Sequence, residues 1–481
     1  MTEKTIFYRP ITSSAKVSVK VAECALIFAQ INGGSEMKIK RRLSIALMLS
    51  LIFVASLSYA QTNPRYVALQ GNVLSALYTP DPSLGLPPPH VALIFMQRAS
   101  NYLSTPGCTE LSRRGFMVLC MNASFYNNEA EVDWNQIAID VRRGVDFVKS
   151  QAGITKVVLV GYSAGAPTMT FYQAVAENGV SYCNGMNKIV PCGNNLAGLP
   201  KADGLVLMDP TSGATTFLRS LNAAVVNQNK PNHINPNLDP FSPQNGYNPT
   251  GTTTYSEKFK KKYFEAQSDR MNELIDTALD IQLEMAKGTY PFPDNDVLRI
   301  ARAGGGGGGN PGGQLFTADL SLNCCTLTPQ KLLKDDGTIV TQIVKSVRLP
   351  DLTIPAANGT FNSGVRLLTI DSFLSANAIR SINSNDGIDW CSSNASSECA
   401  IQQISVPLLI EGMGAYYLFP GAEQMFNMAK SQDKDFIVIE GAVHGLSGCT
   451  PNVNCTGQAG GYPNARKNLF DYIAKWLNDR F

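Results

Sequence analysis

The sequence predicts an α/β protein, a mostly parallel sheet with helices on both faces and one large cap insertion. Three observations predict it. Short, wholly apolar runs alternate with stretches of helical periodicity, as strands buried on both faces require. These runs cease between Met208 and Val406, which leaves a long insertion between two neighbouring strands. A Gly-x-Ser-x-Gly turn joins one apolar run to a helix-capable stretch.

Taken in order, residues 91–96 and 116–121 are the first two expected strands. Trp134, Ile137, Val141, Val145 and Val148 follow at three- and four-residue spacing, the buried stripe of a helix. Residues 157–160, 205–208, 408–410 and 436–439 complete the expected sheet. A closing helix sets Leu469, Ile473, Trp476 and Leu477 on one face, with Lys475 and Arg480 near its end. Within the insertion, residues 222–254 are rich in Asn, Pro, Gly and Thr and predict an irregular loop. Residues 256–287 predict a helix with Tyr263, Met271, Leu274, Ile275 and Leu279 as its buried positions. Residues 304–309 are all glycine and are expected to form a surface loop rather than a phosphate cradle. A cradle needs Lys then Ser or Thr after its last glycine, and here Gln314-Leu315 follows Gly313.

Composition fits this class. The chain has 481 residues, 44% hydrophobic and 16% charged, which excludes a disordered chain, a collagen and a coiled coil. Formal net charge is +2, but residues 1–60 hold eight Lys/Arg against three Asp/Glu, leaving 32 basic and 35 acidic residues beyond them. No basic stripe remains, so no nucleic-acid partner is expected.

The basic start is an address. Met37-Lys38-Ile39-Lys40-Arg41-Arg42 precedes an apolar run over 43–57, then Ser58-Tyr59-Ala60 before Gln61. This is the layout of a secretory signal, and the run is shorter than the ~20 residues of a spanning helix. Residues 37–60 are therefore expected to be a signal peptide cleaved after Ala60. Residues 1–36 are expected to be an extension from a mis-assigned start, the rival being a cytoplasmic extension before an uncleaved anchor. The expected location is secreted or periplasmic, without a stable membrane anchor. The expected domains are a core over 61–210 and 406–481, with a cap or lid insertion over 211–405.

Of the eleven cysteines, Cys24 lies in the leader and ten remain. Cys183/Cys192, Cys391/Cys399 and Cys449/Cys455 are spaced for short disulfide loops, as suits an exported chain. Cys108, Cys120, Cys324 and Cys325 are left, and adjacent Cys324 and Cys325 are expected to reach different partners. Zinc is not expected, because CxxC pairs and clustered histidines are missing.

The chemistry centres on Gly161-Tyr162-Ser163-Ala164-Gly165, between an apolar strand and a helix. Small residues on either side of Ser163 let strand and helix approach closely, so the serine oxygen is pushed outward in a strained turn. The helix N-terminus behind it favours developing negative charge. A serine hydroxyl needs a base. Only His90, His233 and His444 exist. His90 precedes a strand and His233 lies in the Asn/Pro-rich loop, whereas His444 follows the last strand.

On this motif and order of elements, the chain from Val67 to Phe481 resembles the α/β-hydrolase superfamily, in particular secreted bacterial hydrolases. The resemblance implies a Ser–acid–His triad in that order, with His444 as the general base. It also implies an oxyanion hole made by the N–H of Ala164 and a second N–H from the loop at Gln97 and Arg98. The superfamily's usual acid position aligns with Ala415. Asp209, in Leu207-Met208-Asp209-Pro210-Thr211, is similar to the Leu-Asp-Pro context of pancreatic-type lipases, with Glu423 and Glu411 as alternatives. Arg98 could serve a carboxylate-bearing substrate or the structure alone.

The implied function is hydrolysis of carboxylic esters, small-molecule or polymeric, through an acyl-enzyme without cofactor or metal. The alternatives are a non-catalytic binding protein of the same fold, or a hydrolase of amide, thioester or polyester bonds.

Overall fold

The computed structural model describes residues 64–303, 315–352, 365–457 and 460–481. The expected leader over 1–60 and the glycine run over 304–309 lie outside the described residues.

The chain opens with a hairpin, β1 (Arg65–Leu69) and β2 (Val73–Tyr78), turned by Gly71 and Asn72 at φ 74° and 62°. There follow β3 (Val91–Gln97), α1 (Pro106–Ser112), β4 (Met117–Asn122), α2 (Trp134–Lys149), β5 (Lys156–Tyr162), α3 (Gly165–Asn178) and β6 (Gly204–Met208). The insertion contributes α4 (Ala214–Ser220), α5 (Glu257–Ala286), β7 (Val297–Ala301), β8 (Gln330–Leu333), β9 (Ile339–Gln342), β10 (Val365–Thr369), α6 (Ile370–Ala376), β11 (Ser381–Asn383), β12 (Gly387–Ile388) and α7 (Ser397–Ile401). The chain closes with β13 (Leu408–Met413), α8 (Phe419–Met428), β14 (Lys434–Ile439), β15 (Ala442–Val443), β16 (Ser447–Gly448) and α9 (Ala465–Asn478).

The main sheet runs β1-β2-β4-β3-β5-β6-β13-β14-β8-β9. From β4 to β8 every neighbour is parallel; β2 runs antiparallel to β4 and to β1, and β9 antiparallel to β8. The first eight strands in this order, with only the second reversed against its neighbours, have the topology of the α/β-hydrolase fold.

The strand period of two sorts the core onto both faces. In β3, Ile94 and Met96 join the cluster that holds Trp134, Ile137, Val141, Val145 and Val148 of α2. Leu93 and Phe95 join the cluster that holds Leu469, Ile473, Trp476 and Leu477 of α9. In α5, Ser256 caps the helix by accepting from Phe259 N, and Tyr263, Met271, Leu274 and Ile275 are buried.

Two expectations need correction. The insertion is not all cap: β8 pairs with β14 through Ile437↔Lys331 to Ile439↔Leu333 and carries β9 with it. Residues 330–342 thereby satisfy the backbone groups of a strand that would otherwise end the sheet. Second, Cys324 and Cys325 pair with each other. Cys108–Cys120, Cys183–Cys192, Cys391–Cys399 and Cys449–Cys455 use the other eight, so the neighbours have no third partner among the described residues.

Candidate active site

Strand register creates the site. Tyr162 at the end of β5 lies beside Met208 at the end of β6, and Met208 lies beside Glu411 of β13. The next residue on each of the first two strands, Ser163 and Asp209, therefore leaves the sheet at the same edge. Both have positive φ, 55° and 42°, a conformation costing on the order of 1–3 kcal/mol for a residue with a side chain. Surrounding bonds hold Ser163 there: its N–H donates to Met208 O at 3.0 Å, and its carbonyl accepts from Ala166 N at 3.0 Å and Thr211 N at 3.2 Å. The glycines of the motif have a steric purpose. A Cβ on Gly161 would stand 2.7 Å from Ala166 Cα, and one on Gly165 2.7 Å from Met96 O.

His444 arrives from beyond β14. Its loop is closed by the β15–β16 pair, with Leu446 at φ 58°, and is followed by the Cys449–Cys455 bridge. Arg466 of α9 donates to Leu446 O at 2.8 Å, and the Tyr162 hydroxyl donates to the His444 carbonyl. So held, His444 Nε2 lies 2.9 Å from Ser163 Oγ and Nδ1 lies 2.5 Å from Asp209 Oδ2. Nδ1–H donating to the carboxylate leaves Nε2 to accept the serine proton. Asp209 is fully buried, Ser163 is 8% exposed, and the His444 side chain 23%. Burial pushes the Asp209 pKa up; the hydrogen bond and charge of His444, then Met413 N–H, pull it the other way.

Neither of the other candidate carboxylates bonds His444. Glu423 accepts from Leu327 N at 2.6 Å, Thr328 N at 3.1 Å, Thr328 Oγ1 at 2.9 Å and Gln330 Nε2 at 2.9 Å, fastening α8 to the insertion. Glu411 points its side chain to the same face as Leu409 and Met413, and burial raises its pKa well above the ordinary value. Ala415 is buried, its N–H donating to Ala442 O at 2.8 Å. His90 bonds the Phe481 carbonyl at 3.0 Å, and His233 lies in the insertion.

Ala164 is the N-cap of α3, so its N–H precedes the helix and has no intrahelical acceptor. Gln97 Oε1 turns back to accept from Ala99 N at 3.0 Å and Ser100 N at 2.8 Å, shaping the loop after β3. Arg98 has a structural role: it pairs with Glu129 at 3.0 Å and donates to Ala376 O at 3.1 Å, tying the loop to the insertion.

Sequence reasoning passed over the aromatic wall. Tyr416 stacks on the His444 ring at 4.7 Å between centroids and 21° between planes, Tyr417 follows at 4.2 Å from Tyr416, and Phe316 lies 4.8 Å from Tyr417. The Tyr162 ring also lies against His444, at 5.4 Å between centroids and 37° between planes. Its place inside the Gly-x-Ser-x-Gly turn was the only available signal; nothing marked Tyr416.

Among solved structures, the chain is similar to a hypothetical protein of Pseudomonas aeruginosa at 13% identity, covering 88% of this chain and 95% of that one, TM-score 0.40. It is also similar to Est1E from Butyrivibrio proteoclasticus at 9% identity, 87% and 98% covered, TM-score 0.38. A soluble variant of monoglyceride lipase from Saccharomyces cerevisiae matches at 11% identity, 88% and 98% covered, TM-score 0.37. At such scores the fold rests on strand order rather than on these likenesses. No family model and no curated protein matches the chain. Among the described residues, no helix is long and apolar enough to cross a membrane.

Proposed function

We propose that the chain is an exported serine hydrolase that cleaves carboxylic esters through an acyl-enzyme. The observation that carries the reading is the pair of hydrogen bonds on His444, 2.9 Å to Ser163 Oγ and 2.5 Å to Asp209 Oδ2. In this reading Ser163 Oγ attacks the ester carbonyl as its proton passes to His444 Nε2. Asp209 holds the tautomer and stabilises the imidazolium. The carbonyl oxygen, now an oxyanion, is met by the N–H of Ala164 and one from Gln97 or Arg98; each such donor contributes roughly 3–4 kcal/mol. His444 then returns the proton to the departing alkoxide, which leaves as the alcohol. Water, deprotonated by the same imidazole, releases the acid and restores Ser163.

Residues 61–210 and 406–481 form the catalytic core of this proposal, and 211–405 the insertion that shapes the substrate site, with 330–342 serving the sheet. Export rests on the leader pattern together with the five disulfides.

The test is labelling with a fluorophosphonate alongside 4-nitrophenyl acetate turnover. Wild type should take one label on Ser163, and Ser163→Ala should lose both label and turnover while keeping its circular dichroism. Substantial esterase activity in pure Ser163→Ala would sink the assignment.

A further inference from the structure

Beside the triad lies a small pocket whose lining includes Pro210, Ser212, Thr216, Arg219, Asn323 and Tyr417. Its position relative to Ser163 follows from the sheet. The loop proposed to hold the oxyanion follows β3, on one side of β5; Pro210 follows β6 and Tyr417 follows β13, on the other side. Pro210 is next to Asp209, and Tyr417 stacks on the Tyr416 ring that stacks on His444. The pocket is thus on the histidine side of the serine, the side from which the leaving alcohol takes its proton.

Arg219 gives this pocket its sign. Nε donates to Ser384 O at 2.8 Å and Nη2 to Asn385 O at 3.0 Å, both neutral acceptors, which fix the guanidinium. Nη1 has no acceptor, and Arg219 no ion-pair partner, among the described residues. The carboxyl that acts on Arg219 electrostatically is Glu398, fully buried on α7 and close to the Ser212 hydroxyl, which favours its charged form. Burial pushes the Glu398 pKa up to about 7, so at neutral pH it compensates the cation only in part. A fixed, under-neutralised guanidinium beside the Thr216 hydroxyl matches a carboxylate.

We propose that this pocket is a specificity subsite for a carboxylate on the leaving-group portion of the substrate, with Arg219 as its anchor. The proposal rests on the hydrolase reading above and adds the substrate class: esters whose alcohol or phenol carries an anionic group. The pocket encloses about 30 Å³, room for one small polar group and not for an alkyl chain.

The experiment compares kcat/KM for 4-carboxyphenyl acetate and 4-carbamoylphenyl acetate, an anionic and a neutral ester, each divided by its rate of alkaline hydrolysis. Wild type should prefer the carboxylate at least tenfold. In Arg219→Met the ratio should fall to near one. Thr216→Glu keeps the backbone bonds of Arg219 but supplies an internal carboxylate, so it should also collapse the ratio and decides the matter if Arg219→Met does not fold. A wild-type ratio near one, or a ratio unchanged in either folded variant, overturns the subsite. So does a protein whose Ser163 takes the fluorophosphonate but turns over neither ester. If Ser163 takes no label and neither ester is cleaved, it is the hydrolase reading that fails.

Discussion

Asp209 bears on His444 through one oxygen while its other oxygen accepts from Met413 N at 3.4 Å, so the carboxylate is aimed by the end of β13. Asp209→Asn keeps that shape, but an amide cannot stabilise an imidazolium and can present the wrong group to Nδ1. The chemical rate should fall by about 10⁴-fold, the loss seen for the equivalent change in a well-characterised triad. Glu411→Gln and Glu423→Gln should stay within about tenfold, roughly 1.4 kcal/mol of barrier, since neither side chain meets His444. Single-turnover rates on 4-nitrophenyl acetate measure all three. An active Asp209→Asn beside an inactive Glu423→Gln would remove Asp209 from the proposed triad.

At the scale of elements, several pieces of the site are held by contacts between distant segments. Glu423 joins α8 to residues 327–330, and Ser397 Oγ of α7 donates to Thr211 O at 2.9 Å, next to Pro210. The same helix carries Glu398, which contributes a pH dependence to stability. Its pKa rises from 4.5 to about 7 on folding because burial disfavours the charged form. Below about pH 4.5 it is protonated in both states and adds nothing. Between about 4.5 and 7 only the folded chain keeps the proton, so stability falls as pH rises; above about 7 the loss is complete. The shift corresponds to roughly 3 kcal/mol. Glu398→Gln should therefore be more stable than wild type at pH 8, with the gap closing towards pH 4.5. Urea unfolding midpoints across this range measure it, and a gap that does not vary with pH would contradict the linkage.

At the scale of the whole molecule, five disulfides distribute short covalent loops over the core and the insertion. Cys183–Cys192 and Cys108–Cys120 span separations of 9 and 12, for which chain-entropy arguments give about 3 kcal/mol each. Such a framework suits an exported protein. If the chain is exported as proposed, its intact mass under non-reducing conditions, before and after alkylation, should match a chain starting at Gln61 with no free thiol. Residues 1–36 on the exported protein, or four or more alkylated cysteines, would overturn the start-site or disulfide expectation respectively.

Much of the fold was legible because its central strands are buried on both faces and so are written as unbroken apolar runs: β3, β4 and β6 have no exposed residue. The edge strands were not legible. β9 is exposed along its whole length, and β1 alternates exposed and half-buried residues, so neither carries a distinctive pattern. The one-per-strand logic of the site was legible too, since Ser163 and His444 each follow an apolar run. Which carboxylate faces His444 was not, because Asp209, Glu411 and Glu423 all follow or lie within sheet elements. That choice depended on register between β6 and β13 and on Glu423 finding four donors in the insertion. The sequence by itself determined the layered sheet, the strained serine turn and the histidine, because each depends on local patterning and residue type. Only the tertiary structure decided the acid's partner, the Cys324–Cys325 pairing, the capture of 330–342 by the sheet edge and the backbone acceptors that fix Arg219. These depend on which distant donors and acceptors satisfy one another first, and burial makes an unsatisfied group costly wherever it falls along the chain.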